Sequence, residues 1–223
     1  MTRTPEGSPA GPQGGWCGAV LAGGRSRRFG RDKALARLAG RRLIDLALAS
    51  HADADTVYVV LGAPERAAAL APSLPAHVTA LPDDRPGLGP MGGLATVLAR
   101  HPRDWVAVQA VDLPLLPPAW WPRLAACHRR GTLAVVPRDA DGRWEPLAAL
   151  YHGSLGAELA GMLTPETPTR TSLQPWLDAA MREGRVTAVA VSALPAGALR
   201  NVNRPADAEA AAAALRAARS RHE

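Results

Sequence analysis

A cluster of glycines, cations and one acid follows the first apolar run of the chain. Residues 21–34 read LAGGRSRRFGRDKA and come directly after the apolar residues 16–20. A strand that ends in two glycines can bring backbone N–H groups close to a polyphosphate, while nearby Arg and Lys side chains supply positive charge. This stretch therefore predicts a nucleotide site.

The spacing within this segment excludes the two commonest phosphate-binding motifs. Five residues separate Gly24 from Gly30, whereas a Walker A loop has four and places Lys directly after the second glycine. The dinucleotide fingerprint G-x-G-x-x-G is also absent. Lys33 is the only lysine among the 26 basic residues. Its isolation favours a specific role, because an ammonium is a compact charge with rotatable donors.

The same segment resembles the signature L-A-G-G-x-S-x-R-M-G-x-D-K of nucleotidyltransferases that build activated sugars and cofactors. Phe29 stands where the signature has Met. The paired Gly23-Gly24 and the Asp32-Lys33 ending look most like the molybdenum cofactor guanylyltransferase family. Four later segments resemble motifs of that family in the same order: 89–94 (GPMGGL), 110–114 (AVDLP), 145–150 (EPLAAL) and 201–205 (NVNRP, with Arg204 for the family's Thr).

The resemblance implies transfer of GMP from GTP to molybdenum-bound molybdopterin, with release of pyrophosphate and dependence on Mg²⁺. The implied catalytic residues are Arg28, Lys33 and Asp112, with Asp112 as the metal ligand. The implied nucleotide-binding residues are Leu21, Ala22, Gly23, Gly24, Ser26, Lys33, Asp83, Gly89, Gly92, Asp112, Asn201 and Asn203. A guanylyl- or cytidylyltransferase acting on another phosphorylated cofactor or sugar precursor is the alternative, because it would use the same loop and the same Asp.

Apolar runs that read as strands alternate with helical patterns. Strands are predicted at 16–20, 56–61, 77–81, 105–111, 133–137, 145–151 and 186–191, and helices at 43–51, 65–70, 91–100, 117–130, 153–163, 172–183 and about 207–219. With the resemblance, this order predicts a Rossmann-like, three-layer α/β/α fold of the nucleotide-diphospho-sugar transferase type, with a mostly parallel central sheet. Ligands of open parallel sheets gather at the carboxyl ends of the strands, so Asp112 should share a rim with Gly23 and Gly24.

Several of these residues also have a purely structural interpretation. Gly92 and Gly93 could serve only to let a helix pack closely on the sheet. Asp112 could cap the next helix, and Asn201 and Asn203 could form a turn and an N-cap. Asp84, beside Asp83, is an alternative turn residue. The family's Asn at the end of the second strand is absent, since Leu61 and Gly62 stand there.

Composition limits the remaining possibilities. With 223 residues, the chain fits a single nucleotidyltransferase domain over 15–223, preceded by a disordered tail over 1–14 that lacks the apolar core of a secretory signal. No apolar stretch is long enough to span a membrane. The two cysteines have no metal-binding spacing, which fits a reducing compartment and a cytoplasmic location.

The charge and motif patterns bear on partners. The net charge of +6 is not accompanied by basic residues interleaved with aromatics, so nucleic acid is not an expected partner. The six histidines lack metal-protease spacing, and no G-x-S-x-G elbow points to a serine hydrolase. The expected partners are GTP, the molybdopterin cofactor and proteins that handle molybdenum cofactor, and the expected state is a monomer or weak oligomer.

Overall fold

Fifteen strands and α-helices carry the fold of the computed structural model, which describes residues 10–12, 15–23, 32–163, 172–203, 207 and 209–213. The strands are β1 (Cys17–Leu21), β2 (Arg37–Leu38), β3 (Arg41–Arg42), β4 (Val57–Val60), β5 (Val78–Leu81), β6 (Trp105–Ala110), β7 (Ala134–Arg138), β8 (Ala148–His152) and β9 (Val186–Ala190). The helices are α1 (Leu43–Ala49), α2 (Pro64–Leu70), α3 (Pro90–Arg100), α4 (Trp120–Ala126), α5 (Leu155–Gly161) and α6 (Gln174–Arg182).

The central sheet has seven strands in the order β5-β4-β1-β6-β8-β7-β9. Strands β5, β4, β1 and β6 pair in parallel, as do β7 and β9. Strand β8 is antiparallel to both of its neighbours, so it alone runs against the other six. The small β2–β3 hairpin lies outside this sheet. The mostly parallel sheet predicted from the sequence is confirmed.

Both faces of the sheet are covered by helices, which gives the three layers. In β1, Ala19 and Leu21 face the cluster that includes α3, α5 and α6, whereas Val20 faces the cluster that includes α1 and α2. Helix α4 packs with β6 and β8 in a third cluster around Trp120 and Trp121. Burial on both faces explains why the strands read as continuous apolar runs rather than alternating ones. None of the described helices has the length and apolar character needed to cross a bilayer.

Most of the predicted elements are shorter in the structure, and two of them have a clear local reason. The helix expected over 117–130 begins only at Trp120, whose N–H closes a turn onto the Pro117 carbonyl, and ends at Ala126. The strand expected over 145–151 begins at Ala148, because Pro146 and Leu147 form a turn. The predicted terminal helix includes residues 209–213, and its continuation toward 219 lies outside the described residues.

Candidate active site

A cleft of about 250 Å³ lies at the carboxyl ends of β1, β4 and β6 and the start of α3. Its lining comprises Leu21, Gly23, Lys33, Val60, Asp83, Gly89, Pro90, Gly93, Ala110, Val111, Asp112 and Leu147. Apolar side chains form much of its wall, while two carboxylates and one ammonium supply the charge. The start of α3 adds the positive end of a helix dipole, which favours an anionic ligand there.

Two glycines allow the chain just after β1 and the chain just after β4 to approach closely. A Cβ on Gly23 would lie 3.3 Å from the backbone nitrogen of Gly62, and a Cβ on Gly62 would lie 3.2 Å from the Gly23 carbonyl oxygen. Gly62 has φ +70°, a conformation that side chains rarely adopt. Its carbonyl accepts the N–H of Asp83 at 3.1 Å. The departure from the family's Asn at this point therefore coincides with a close backbone approach.

Asp32 fixes the backbone that carries Lys33. Its carboxylate accepts the Ala34 N–H at 3.0 Å and caps the short 3-10 turn Lys33–Leu35. The Arg66 guanidinium donates to both carboxylate oxygens, at 2.6 and 2.5 Å. Burial alone would raise the pKa of Asp32, but the hydrogen bonds and charge of Arg66 outweigh it and hold the pKa below its usual value. Asp32 thus stays ionised and anchors the turn.

Lys33 joins two segments that are far apart in sequence. Its Nζ donates to Asp112 Oδ2 at 2.9 Å and to Asn203 Oδ1 at 2.6 Å. The Lys33 side chain is only 16% exposed and that of Asp112 25%. The Val202 N–H also donates to the Asp112 carbonyl at 2.9 Å, which ties the 201–203 segment to the end of β6. Three of the motifs quoted from the sequence therefore meet around one ammonium.

A buried glutamine holds the turn that presents Asp112. Gln109, in β6, is fully buried and donates from Nε2 to the Leu113 carbonyl at 2.8 Å. Its Oε1 accepts the Ser50 hydroxyl at 2.5 Å, at the end of α1. Because Asp112 lies between Gln109 and Leu113, this bridge constrains its backbone. This role was not predicted, since Gln109 is one polar residue within an otherwise apolar strand.

Asp83 is a buried carboxyl held by its own loop and by α3. Its Oδ1 accepts the Arg85 N–H and the Thr96 hydroxyl, both at 2.9 Å. Burial is the main reason that its pKa is raised. A Cβ on Gly92 would lie 2.9 Å from Asp83 Oδ2 and 3.0 Å from the Arg85 carbonyl oxygen. Gly92 therefore permits α3 to pack against the Asp83 loop.

The structure brings most of the predicted site residues to this cleft. Leu21, Gly23, Lys33, Asp83, Gly89 and Asp112 line it, and Asn203 adjoins it through Lys33. Ala22 and Gly92 are buried outside the lining, and Asn201 is exposed beside Val202. Gly24, Ser26 and Arg28 lie outside the described residues.

Glu145 is a further carboxyl near the cleft that was not predicted as a site residue. It is half-buried, and its pKa is raised by burial first and then by the charges of Asp139 and Asp112. Its carboxyl therefore lies within the electrostatic field of the cleft. The quoted motif drew attention to residues 145–150, but to its Pro and Leu rather than to this acid.

The strand order and a cleft at the carboxyl ends of parallel strands are those of an α/β nucleotide-binding protein. Residues 18–186 match the family model described as the MobA-like NTP transferase domain. A probable molybdenum cofactor guanylyltransferase of Deinococcus radiodurans is 38% identical over 198 residues, which cover 85% of this chain and 90% of the relative. That of Opitutus terrae is 37% identical, with 85% and 91% covered.

A solved structure agrees with these relatives. The crystal structure of molybdopterin-guanine dinucleotide biosynthesis protein A from Archaeoglobus fulgidus superimposes with a TM-score of 0.72 and 25% identity, covering 89% of this chain and 98% of that one. The chain belongs to the MobA-like NTP transferases, and within them to the molybdenum cofactor guanylyltransferase family. The family resemblance and the fold class predicted from the sequence are confirmed.

Proposed function

We propose that this protein transfers GMP from GTP to the terminal phosphate of molybdenum-bound molybdopterin and releases pyrophosphate. The observation that carries the proposal is the Lys33 ammonium held between Asp112 and Asn203 at the end of β6. A fixed cation in the lining of the cleft suits a triphosphate, because transfer brings negatively charged groups together. The names of the curated relatives support the choice of GTP and of the molybdenum cofactor.

The oxygen donors around Lys33 also suit Mg²⁺. Asp112 offers a carboxylate that lines the cleft, and Asn203 offers an amide oxygen within reach of the same ammonium. Mg²⁺ prefers such hard oxygen ligands and usually binds through one or two carboxylates together with substrate phosphates. Asp112 would hold the ion, with Asn203 beside it. When bound, Mg²⁺ would neutralise phosphate charge during the transfer.

The protein's own residues would bind and align the substrates. A phosphate acceptor has its second pKa near 6, so it is largely ionised at pH 7 and needs no protein base. Lys33, and Arg28 from the signature, would neutralise the triphosphate, while the Gly23 and Gly24 backbone would approach it closely. Leu21 and Val60 offer apolar surface to the nucleoside. Catalysis would then rest on charge and alignment.

Product analysis tests this function. Purified protein would be incubated with Mg²⁺, molybdenum cofactor and each of the four nucleoside triphosphates separately, and the products identified by mass. We expect the guanine dinucleotide cofactor with GTP, and no dinucleotide product with the other three nucleoside triphosphates. A cytosine dinucleotide product would show that the protein is a cytidylyltransferase instead. If no dinucleotide forms with any of the four, the proposed acceptor is wrong. Delivery of the product to proteins that handle molybdenum cofactor stays a prediction.

A further inference from the structure

Three potential metal ligands converge at the amino-terminal ends of β1 and β6, at the opposite ends of the strands from the cleft. Cys17 begins β1, and His101 and Asp104 lie in the turn between α3 and β6. Cys17 Sγ lies 3.3 Å from His101 Nδ1, and Asp104 Oδ2 lies 3.1 Å from the same nitrogen. All three ligand atoms lie within 4.8 Å of one another. This cluster was not predicted, because residue 17 is far from residues 101 and 104 in the sequence.

The geometry differs from that of a nucleophilic triad. In a triad the imidazole uses one nitrogen toward the nucleophile and the other toward the acid. Here the thiol and the carboxylate both approach Nδ1, and His101 Nε2 is buried without a hydrogen-bond partner among the described residues. A single ring nitrogen makes one full hydrogen bond at a time, so it cannot serve both neighbours equally, and the thiol also has a hydrogen bond with Thr56. Three electron-pair donors around one point instead form the kind of arrangement that surrounds a metal ion.

The electrostatic environment favours a cation at this point. Cys17 is buried, and the carboxylates of Asp104 and Asp55 both act on its sulfur. The two carboxylates therefore make the local potential negative, which opposes a bare thiolate and attracts a positive ion. Asp104 is 59% exposed on its side chain, so an ion has a route from solvent to the buried sulfur.

We propose that Cys17, His101 and Asp104 form a binding site for a divalent transition metal ion of the zinc class. A sulfur, an imidazole nitrogen and a carboxylate oxygen are the ligand types that Zn²⁺ takes, at about 2.0–2.3 Å each. The observed separations of 3.3 and 3.1 Å between ligand atoms are close to the span of neighbouring ligands around such an ion. Three protein ligands leave the fourth position of a tetrahedral site for water. Binding releases the thiol proton to solvent.

This site would be separate from the nucleotide cleft. Cys17 and Leu21 are the first and last residues of β1, and a strand rises about 3.3 Å per residue, which places the two sites roughly 13 Å apart along the strand. Mg²⁺ prefers oxygen ligands and would not compete for a thiolate. A bound ion would link the start of β1 to the turn before β6, and so stabilise the folded chain.

Cobalt substitution tests the proposal. The full-length protein, freed of metal with a chelator, would be titrated with Co²⁺ in excess Mg²⁺ while near-ultraviolet absorption from thiolate-to-cobalt charge transfer is recorded. We expect one equivalent of Co²⁺ to produce this band and Zn²⁺ to abolish it. Cys17→Ser should remove the band, and Asp104→Asn should weaken Co²⁺ binding by at least about tenfold. Circular dichroism of each variant would show that it has folded.

Cys127, the exposed second cysteine, provides the matched control. Cys127→Ser should retain the full band, and so should Asp112→Asn, which alters the cleft. The proposal is overturned if adding Co²⁺ to the metal-free protein produces no band. It is also overturned if the band survives in Cys17→Ser and disappears in Cys127→Ser. Because the readout is spectroscopic, it does not depend on the guanylyltransferase activity.

Discussion

Replacing Lys33 with arginine tests whether the position of the ammonium matters in addition to its positive charge. The Lys33 Nζ reaches both Asp112 and Asn203 from a side chain that is 16% exposed. A guanidinium keeps the charge but is planar and larger, so it cannot place one nitrogen at the same point. A hydrogen bond to a charged group contributes about 1.5–3 kcal/mol. If one such contact to the nucleotide is lost in the transition state, kcat/KM should fall about 10- to 150-fold.

The assay is steady-state release of pyrophosphate from GTP with Mg²⁺ and molybdenum cofactor. Arg185→Lys is a suitable control for the general effect of exchanging these residues, because Arg185 pairs with Glu158 at the surface, at 2.7 Å. It should retain the activity of the unaltered protein. Lys33→Met, which removes the charge as well, should be at least as impaired as Lys33→Arg. Unchanged kinetics in Lys33→Arg at equal thermal stability would refute the specific role of this ammonium.

Three further perturbations test other parts of the structure. Asp112→Asn should lower kcat by at least about a hundredfold, which corresponds to about 2.7 kcal/mol of activation free energy, if the Asp112 carboxylate holds the metal. The circular dichroism spectrum should stay unchanged, and a variant that keeps half the original activity would contradict the assignment. Gln109→Leu should lower kcat about tenfold, because it removes the hydrogen bond that holds the turn at Asp112. Ser50→Ala keeps the contact between Gln109 and Leu113 and should lower kcat by a smaller factor. If kcat is the same in both variants and in the unaltered protein, the bridge does not position Asp112. Burial lowers the pKa of His51 from 6.5 to about 3. Between these two values the His51 imidazole is protonated in the unfolded chain and neutral in the folded chain. The free energy of unfolding should fall by about 2 kcal/mol between pH 8 and pH 5 on this account. In urea titrations His51→Phe should lack this part of the decline, and an identical pH dependence in both proteins would be evidence against a neutral buried imidazole.

Much of the fold was predictable because local patterns determine it. Apolar runs of the kind that parallel strands bury on both faces indicated β4 and β6. The rule that ligands gather at the carboxyl ends of parallel strands predicted that Asp112 lies near Gly23, and both line the cleft. The reversed direction of β8 was not predictable, because its side chains are buried on both faces, as are those of the parallel strands β1 and β6. Strand direction depends on the path of the connections, which periodicity does not record.

The parts of the site that escaped prediction depend on long-range contacts. The Lys33–Asn203 hydrogen bond joins residues 170 positions apart, and Arg66 reaches Asp32 across 34 positions. Arg66 is one of many arginines, so nothing in its local sequence marks it as the partner of Asp32. Cys17, His101 and Asp104 meet for the same reason: β1 pairs with β6, which brings the start of β1 beside the turn that precedes β6.

The central claim, guanylyl transfer, is tested most directly by following the phosphorus of GTP. The protein would be incubated with Mg²⁺, molybdenum cofactor and GTP labelled in either the α- or the γ-phosphate, and the label traced to the cofactor or to pyrophosphate. The account predicts that the α label appears in the cofactor product and the γ label only in pyrophosphate. Transfer of the γ label to the cofactor, or recovery of both labels in unreacted GTP, would contradict it.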